Sequence, residues 1–249
     1  MDSLVIVPTY NEAGNLDRLA RAILDLEGFD LLVVDDNSPD GTGRVAEELR
    51  DRYPDRISTL HRPSKLGIGT AYLEGFRIAL TREYPYVFQM DADFSHDPAD
   101  LPRLRDALGR ADVALGSRYI SGGGTANWPL WRRALSRCGS LYAGLLLGVP
   151  VADLTGGFKG FRRPVLQALD LASVRSNGYA FQIEVTYRCW QQGFRIVEVP
   201  ITFVERRSGR SKMSSRIVVE AALLVWQLRF EELSDALARL LKGSVVGPS

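Results

Sequence analysis

Short apolar, β-branched runs alternate with helical patterns over the first half of the chain. The apolar runs predict strands, and the longer segments between them predict helices. Strands that alternate with helices through short connections indicate an α/β fold with a mostly parallel sheet and helices on both faces. The predicted strands are Leu4–Val7, Leu31–Val34, Ile57–Leu60, Tyr86–Met90 and Val113–Gly116, and the predicted helices are Asn15–Leu26, Thr42–Arg52, Gly69–Arg82 and Pro98–Leu108.

The second half has a less regular pattern. It predicts a helix at Ala180–Gln192, a strand at Ile196–Val204 and a closing helix from about Ile217 to Leu241. No repeat or linker interrupts the pattern, which favours a single domain in residues 1–216 with a C-terminal amphipathic helix and tail in 217–249. We expect the apolar stripe of the closing helix to pack on the domain rather than to self-associate or dock on a membrane partner. This stripe consists of Trp226, Phe230, Leu233, Leu237 and Leu240.

A further helix, rich in tryptophan and arginine, is predicted around Trp131–Leu147, within a segment that we place at residues 127–148. Tryptophan and arginine on an amphipathic helix are typical of a bilayer surface. A buried core helix would also show an apolar stripe, and both interpretations stay open. The stripe is Trp131, Leu135, Cys138, Tyr142 and Leu145, and Arg133, Arg137 and Ser140 lie opposite it.

Composition and charge narrow the classes of function. Apolar residues make up 45% of the chain and charged residues 24%, with a formal net charge of +1. A global basic field for nucleic acid is therefore absent. The N-terminus does not resemble a signal peptide, and the most apolar stretch, Ile217 to Leu228, is shorter than the roughly 20 residues of a spanning helix. We expect a cytoplasmic protein that lies on a membrane without crossing it, with Cys138 and Cys189 reduced in or near the core.

Polar residues follow four of the predicted strands, at the sheet edge where α/β proteins bind ligands. Asp91 and Asp93 follow the fourth strand, and residues two apart in an extended segment point to the same side. Two carboxylates with open positions suit Mg²⁺ or Mn²⁺, which also bind substrate phosphates. The alternative is an acidic turn that caps the helix beginning at Asp97–Pro98.

Five motifs stand in order along the chain: PTYNE, VVDDNSPDG, DAD, GSRY and the basic ERRSGRSKMS. Over residues 4 to about 216 they resemble the dolichol-phosphate (polyprenol-phosphate) mannose synthases, inverting family 2 glycosyltransferases with the GT-A fold. The first two motifs mark the wider superfamily, whereas the basic loop and the tryptophan/arginine helix narrow it to transfer onto polyprenyl phosphate. The resemblance implies transfer of mannose from GDP-mannose with inversion, with Mg²⁺ or Mn²⁺ as cofactor.

The resemblance also implies roles for individual residues on the donor side. Glu12 and Asp36 would accept hydrogen bonds from the nucleoside, although each could instead be a charge at a helix N-terminus. Asp91 and Asp93 would hold the metal, and Ser95 would be a weaker third ligand that a water could supplement. The implied nucleotide-sugar contacts are Pro8, Tyr10, Glu12, Val34, Asp36, Asp91, Ala92 and Asp93.

On the acceptor side, the resemblance implies that Arg118 and Arg132 hold the incoming phosphate, with Ser136 on the same helix face as Arg132. Asp153 lies in a DxTxGF-like segment and could be a ligand or a structural residue. Arg206 and Lys212 belong to a basic loop at 205–216. We expect this loop to close over the diphosphate, although such a run is often a solvated loop.

The acceptor phosphate monoester is largely anionic at neutral pH, because its second pKa is about 6. A strong general base is then not needed, and we interpret His61 and His96 as structural or exposed. Catalysis is expected to rest on Asp93, Arg118 and Lys212, through positioning and charge stabilisation.

The rival functions are a UDP-glucose-dependent polyprenyl-phosphate glucosyltransferase and a non-catalytic nucleotide-binding subunit. The expected partners are GDP-mannose, a polyprenyl or dolichyl phosphate, the membrane surface, and either a membrane-anchoring subunit or a downstream mannosyltransferase.

Overall fold

The structure is a computed structural model that describes residues 1–205 and 215–243. A seven-stranded sheet runs through the molecule in the order β3-β2-β1-β4-β7-β5-β8, and a small second sheet pairs β6 with β9. The strands are β1 Ser3–Thr9, β2 Phe29–Asp35, β3 Ile57–His61, β4 Tyr86–Gln89, β5 Val113–Ser117, β6 Gly124–Ala126, β7 Lys159–Arg162, β8 Ile196–Pro200 and β9 Thr202–Val204. The helices are α1 Ala13–Leu24, α2 Thr42–Arg52, α3 Ile68–Thr81, α4 Leu101–Ala107, α5 Leu130–Leu147, α6 Arg163–Ala168, α7 Gly178–Gln191 and α8 Ser215–Gly243.

The large sheet is mostly parallel, as the sequence predicts. Strands β1 to β4 run parallel, and so do β5 and β8, whereas β7 is antiparallel between β4 and β5. The side chains of β1 alternate between two cores because successive residues of a strand face opposite sides. Val5 and Val7 pack with α1, α2 and α4, whereas Leu4 and Ile6 pack with α3, α6 and α7. The predicted fold class is therefore confirmed.

Several elements differ from the sequence prediction. The expected strand at Ile196–Val204 is two strands, β8 and β9, which pair in different sheets on either side of Ile201. Strand β7 and helix α6 were not predicted, because they lie in and just after a glycine-rich segment that reads as a loop. The helix predicted at Pro98–Leu108 begins as a 3₁₀ turn, Pro98–Asp100, before α4.

Helix α8 packs on α5 and α7 through Val225 and Leu228, which form a third core with residues such as Leu147 and Ile183. The stripe that we expected to pack is instead exposed: Trp226 at 46%, Phe230 at 60% and Leu233 at 49%. The side chains of Leu237 and Leu240 lie outside the described residues. The packing prediction for this stripe is therefore wrong, because the helix turns a neighbouring face to the core.

Helix α5 also turns its apolar stripe outwards. Trp131 is 64% exposed and Leu145 is 76% exposed, whereas the polar side chains of Arg132, Ser136 and Ser140 are buried. Tyr142, in contrast, packs against the third core. Cys189 is buried as expected, but Cys138 is exposed, which corrects its expected place in or near the core. No helix in the described part of the chain is long and apolar enough to cross a bilayer.

Candidate active site

The loops after β1 and β2 are tied together at the carboxyl end of the sheet. The backbone N–H of Glu12 donates to Thr42 Oγ1 at 2.9 Å, and that of Ala13 donates to Asp40 at 3.2 Å. Although burial raises the pKa of Asp40, hydrogen bonds from Thr42 and Ala13 prevail and lower it. Asp40 therefore stays ionised and holds the start of α1 beside the start of α2.

The predicted nucleoside residues meet along this edge. Pro8 and Val34 are register partners on β1 and β2. Tyr10 lies under Lys65, whose Nζ is 3.8 Å from the ring centroid. The Glu12 carboxylate accepts from Asn15 Nδ2 at 2.8 Å. Glu12 is the residue before α1, but its side chain makes no capping hydrogen bond to that helix.

Asp36 is buried and ion-paired, which the sequence did not show. Its Oδ1 accepts from Arg62 Nη1 at 2.6 Å, and Arg62 also lies 3.2 Å from Glu74. Arg62 follows β3 at the same sheet edge, so the strand-end rule that identified the other residues also applies to it. If Asp36 accepts a hydrogen bond from a nucleotide base, its carboxylate would therefore bind that base and Arg62 together.

The two aspartates after β4 lie on a tightly structured turn. Asp93 Oδ1 accepts from the backbone N–H of Ser95 at 3.0 Å. Phe94, between Asp93 and Ser95, has a φ of 58°, a left-handed conformation that is strained for a bulky side chain. Ala92 and Ser95 are buried, and Ser95 Oγ has no hydrogen-bond partner among the described residues. Asp93 and Phe94 line a cavity of about 370 Å³.

Asp91 is held by two aromatic neighbours. Tyr72 Oη donates to Asp91 Oδ1 at 3.4 Å, and His96 Nδ1 accepts from the Asp91 backbone N–H at 3.4 Å. Burial, together with Asp91, raises the pKa of Tyr72 well above its ordinary value. Burial lowers the pKa of His96 to about 4, so this imidazole is neutral at physiological pH. His96 stacks on Phe158 at 5.0 Å and is buried, so of the two expected alternatives, structural or exposed, the exposed one does not apply to it.

Arg118 lies after β5 and forms a buried two-pronged ion pair with Asp153. Its Nε and Nη2 donate to the two carboxylate oxygens, each at 2.6 Å, and Nη2 also donates to Thr155 at 2.8 Å. Thr155 Oγ1 is 3.4 Å from Ser136 and 3.2 Å from Ser140 on α5. In this structure Asp153 therefore has the structural role, one of the two roles that the sequence left open. Among the described residues, Nη1 is the nitrogen of the Arg118 guanidinium that makes no hydrogen bond.

Arg132 on α5 is also paired. Its Nη1 donates to Glu205 at 2.6 Å, and its guanidinium carbon lies 4.3 Å from the centroid of the Trp128 ring. Arg132 Nε is buried without a partner among the described residues. Glu205 is the first residue of the basic loop predicted at 205–216, and Arg206 and Lys212 of that loop lie outside the described residues.

An apolar groove of about 290 Å³ opens next to this cluster, between α5, α7 and α8. Ser136 and Thr155 form its polar end. The rest of its wall is almost entirely apolar and includes Leu135, Tyr142, Ile183 and Val225. The apolar groove therefore begins at Thr155, to which Arg118 donates a hydrogen bond.

The chain is similar in sequence to a known family and to proteins of known activity. A family model described as "Glycosyl transferase family 2" matches residues 4–170. The chain is 49% identical over 231 residues to the polyprenol monophosphomannose synthase of Mycolicibacterium smegmatis, covering 91% of this chain and 87% of the relative. It is 47% identical over 226 residues to the undecaprenyl-phosphate mannosyltransferase of Micrococcus luteus, covering 90% and 93%.

Solved structures share the fold at low sequence identity. The glucosyl-3-phosphoglycerate synthase of Mycobacterium tuberculosis, in complex with Mn²⁺, UDP and glucosyl-3-phosphoglycerate, matches with a TM-score of 0.63 at 18% identity over 91% of this chain and 79% of its own. The mannosyltransferase PcManGT of Pyrobaculum calidifontis, in complex with GDP-Man and Mn²⁺, matches with a TM-score of 0.57 at 17% identity over 100% and 76%.

A mostly parallel sheet with carboxylates gathered at the carboxyl ends of its strands, together with these matches, defines a glycosyltransferase of the GT-A type. The chain belongs to glycosyltransferase family 2. The resemblance to the polyprenol-phosphate mannose synthases is confirmed by its relatives.

Proposed function

We propose that this glycosyltransferase transfers mannose from GDP-mannose to a polyprenyl phosphate with inversion at the anomeric carbon. The observation that carries the proposal is the similarity, at 49% and 47% identity over about nine-tenths of the chain, to two relatives named for mannosyl transfer to a polyprenyl phosphate. The GDP-Man complex of a structure with the same fold supports the donor.

On the donor side, the nucleoside would lie at the ends of β1 and β2. Tyr10 would pack against it, Pro8 and Val34 would form its floor, and Glu12 would accept from its donor groups. Asp36 would accept from the base while it remains paired with Arg62. Its two oxygens allow both contacts, since a carboxylate has about four acceptor positions.

A divalent cation, Mg²⁺ or Mn²⁺, fits the residues after β4. Asp91 and Asp93 are hard oxygen ligands on one turn, and the buried Ser95 Oγ lacks a partner among the described residues. No group of three or more acidic, histidine or cysteine side chains of metal-binding geometry occurs in the described ranges, so substrate oxygens and water would complete the shell. The bound ion would neutralise charge on the departing diphosphate.

On the acceptor side, the phosphate itself would be the nucleophile. Ser136 and Nη1 of Arg118 would position it, and Arg132 would exchange Glu205 for one of its oxygens. An anionic phosphate needs no proton acceptor for this step, and His96 is buried against Phe158. The polyprenyl chain would leave along the apolar groove, and Arg206 and Lys212 would cover the diphosphate from the basic loop.

We further propose peripheral association with a membrane. Helices α5 and α8 pack against each other, with Tyr142 Oη donating to the carbonyl oxygen of Ala222 at 3.2 Å. Both expose large apolar side chains beside the groove, which suits an acceptor embedded in a bilayer. The α5–α8 face is defined by Leu130, Trp131, Leu141, Leu145, Val219, Leu223, Trp226, Phe230 and Leu233.

The test is transfer of radiolabelled mannose from GDP-mannose to a short polyprenyl phosphate, with and without Mn²⁺ and with UDP-glucose as the rival donor. We expect mannosyl transfer that EDTA abolishes, and a product of opposite anomeric configuration by NMR. Asp93→Ala should lower kcat by at least about 100-fold without unfolding the protein. Asp106→Ala, an exposed aspartate on α4, is the matched control. Transfer from UDP-glucose alone, or full activity of D93A in EDTA, would refute the proposal.

A further inference from the structure

The space above the α-carbon of Gly157 is bordered by polar side chains from separate parts of the chain. A methyl group built on Gly157 would lie 3.5 Å from Gln182 Nε2, 3.8 Å from Asp91 Oδ1 and 3.8 Å from His96 Cε1. Gly157 itself is partly exposed. The space is therefore accessible, and a ligand atom placed there would be within reach of an amide and a carboxylate.

Gln182, in the second turn of α7, has a buried carboxamide that the fold leaves incompletely satisfied. The residue is 4% exposed, and its Oε1 has no hydrogen-bond partner among the described residues. Few buried polar atoms in native proteins lack a partner, so each one needs an explanation. Lys159 Nζ donates to the Gln182 carbonyl oxygen at 2.7 Å, and this contact fixes the turn that carries the side chain.

The position of this space relative to the two phosphate sites indicates what it holds. Asp91 belongs to the pair proposed to bind the metal and the leaving diphosphate. On the other side, a methyl group on Gly156 would lie 3.5 Å from Asp153, the partner of Arg118. In an inverting transfer the sugar lies between the leaving group and the nucleophile, because both act on one carbon in line. Gly156 and Gly157 occupy that interval.

We propose that Gln182 and Gly157 form the subsite for the transferred hexose, with the Gln182 carboxamide bonded to ring hydroxyls and Gly157 leaving room for the ring. A carboxamide both donates and accepts, which matches hydroxyl groups, and it adds no charge beside Asp91. The inference rests on the proposed function and names the residues that would bind its sugar.

Two substitutions separate sugar binding from folding. Gly157→Ala is compatible with the fold, because the new methyl group would meet its neighbours at ordinary contact distances and Gly157 does not have a positive φ. Gln182→Leu removes a buried carboxamide with an unpartnered atom, so its Tm should not fall by more than a few degrees. Gln192→Leu, an exposed glutamine at the end of α7, is the matched control.

The measurement is calorimetric binding of GDP and of GDP-mannose with Mn²⁺, followed by kcat and KM with a short polyprenyl phosphate. Both variants should bind GDP within about twofold of the wild type. They should lose about tenfold in affinity for GDP-mannose and about 10- to 100-fold in kcat/KM. The Q192L variant should match the wild type in every measurement.

Wild-type ratios of GDP-mannose to GDP affinity in both variants would overturn the subsite. If the wild type instead uses UDP-glucose, the proposed donor is wrong, and the same variants judge the subsite with UDP and UDP-glucose. If Gln182→Leu fails to fold, Gly157→Ala alone decides the matter.

Discussion

At the scale of single residues, the two arginines that we propose for the acceptor phosphate are each paired with a carboxylate. Asp153 pairs with Arg118, and their side chains are 0% and 3% exposed, respectively. Glu205 pairs with Arg132. Two charges taken out of water cost several kcal/mol each, and a matched pair with good geometry repays most of this cost. Each pair therefore fixes the orientation of its arginine, and in the proposed function the acceptor phosphate would have to compete with Glu205 for Arg132.

The Arg118–Asp153 pair gives a prediction for stability. Asp153→Asn should lower the free energy of unfolding by about 3–5 kcal/mol at pH 7, because it leaves a buried guanidinium without its counter-charge. Burial raises the pKa of Asp153, but Arg118 prevails and the pKa is lowered overall. The contribution of a carboxylate with a lowered pKa is complete above the unfolded value of about 3.9 and is lost at lower pH.

Urea unfolding between pH 7 and pH 3 checks this prediction. The difference between the wild type and D153N should shrink below about pH 4. Glu48→Gln, which breaks the exposed pair with Arg44, should cost no more than about 0.5 kcal/mol. A loss in D153N as small as in this control would mean that the buried pair does not hold the site together.

Sequence reasoning found these residues unevenly. Asp91, Asp93 and Arg118 follow buried strands, so the strand-end rule located them. The partner of Arg118 lies 35 residues away, and such pairing depends on tertiary packing that no local pattern encodes. Gln182 carries no signal at all in the sequence, since a glutamine near the start of a helix is commonplace.

At the scale of elements, β7 decides how the two halves of the sheet join. It pairs antiparallel with β4 and β5, and its Gly160 faces the Phe88 ring on β4. The pattern of apolar positions could not predict it, because four residues with a glycine and two basic side chains resemble a loop. The elements of the first half were predictable because short apolar, β-branched runs alternate there with amphipathic helical patterns.

Two glycine substitutions at this scale should have opposite effects on stability. A methyl group on Gly160 would approach Phe88 Cε1 to 2.6 Å, so Gly160→Ala should cost about 1–3 kcal/mol. Gly139 on α5 has nothing within 4 Å of such a methyl group, so Gly139→Ala should stabilise by up to about 1 kcal/mol through helix propensity. Thermal unfolding of both variants measures the contrast, and equal shifts would contradict the packing described for β7.

At the scale of the whole molecule, the site lies beside an outward-facing apolar surface. The α5–α8 face continues from the apolar groove, and Arg133 and Arg137 of α5 are exposed next to it. The sequence predicted the surface character of α5 as one of two alternatives, but it assigned the stripe of α8 to the interior. Which face of an amphipathic helix is covered depends on the neighbouring elements, and the third core selects Val225 and Leu228.

Both helices of the surface should therefore contribute to membrane binding. Trp131→Ser and Trp226→Ser should each weaken sedimentation with vesicles of anionic phospholipid by about tenfold, because each removes an aromatic side chain that a bilayer would cover. The double variant should lose about the product of the two factors, since the helices are independent points of contact.

Arg137→Ser should weaken binding only to anionic vesicles, whereas Arg44→Ser on α2 should not change it. With a short polyprenyl phosphate in detergent, all five variants should keep the kcat of the wild type. A tryptophan variant that lost this kcat while still binding vesicles would place α5 or α8 in the active site rather than on the membrane.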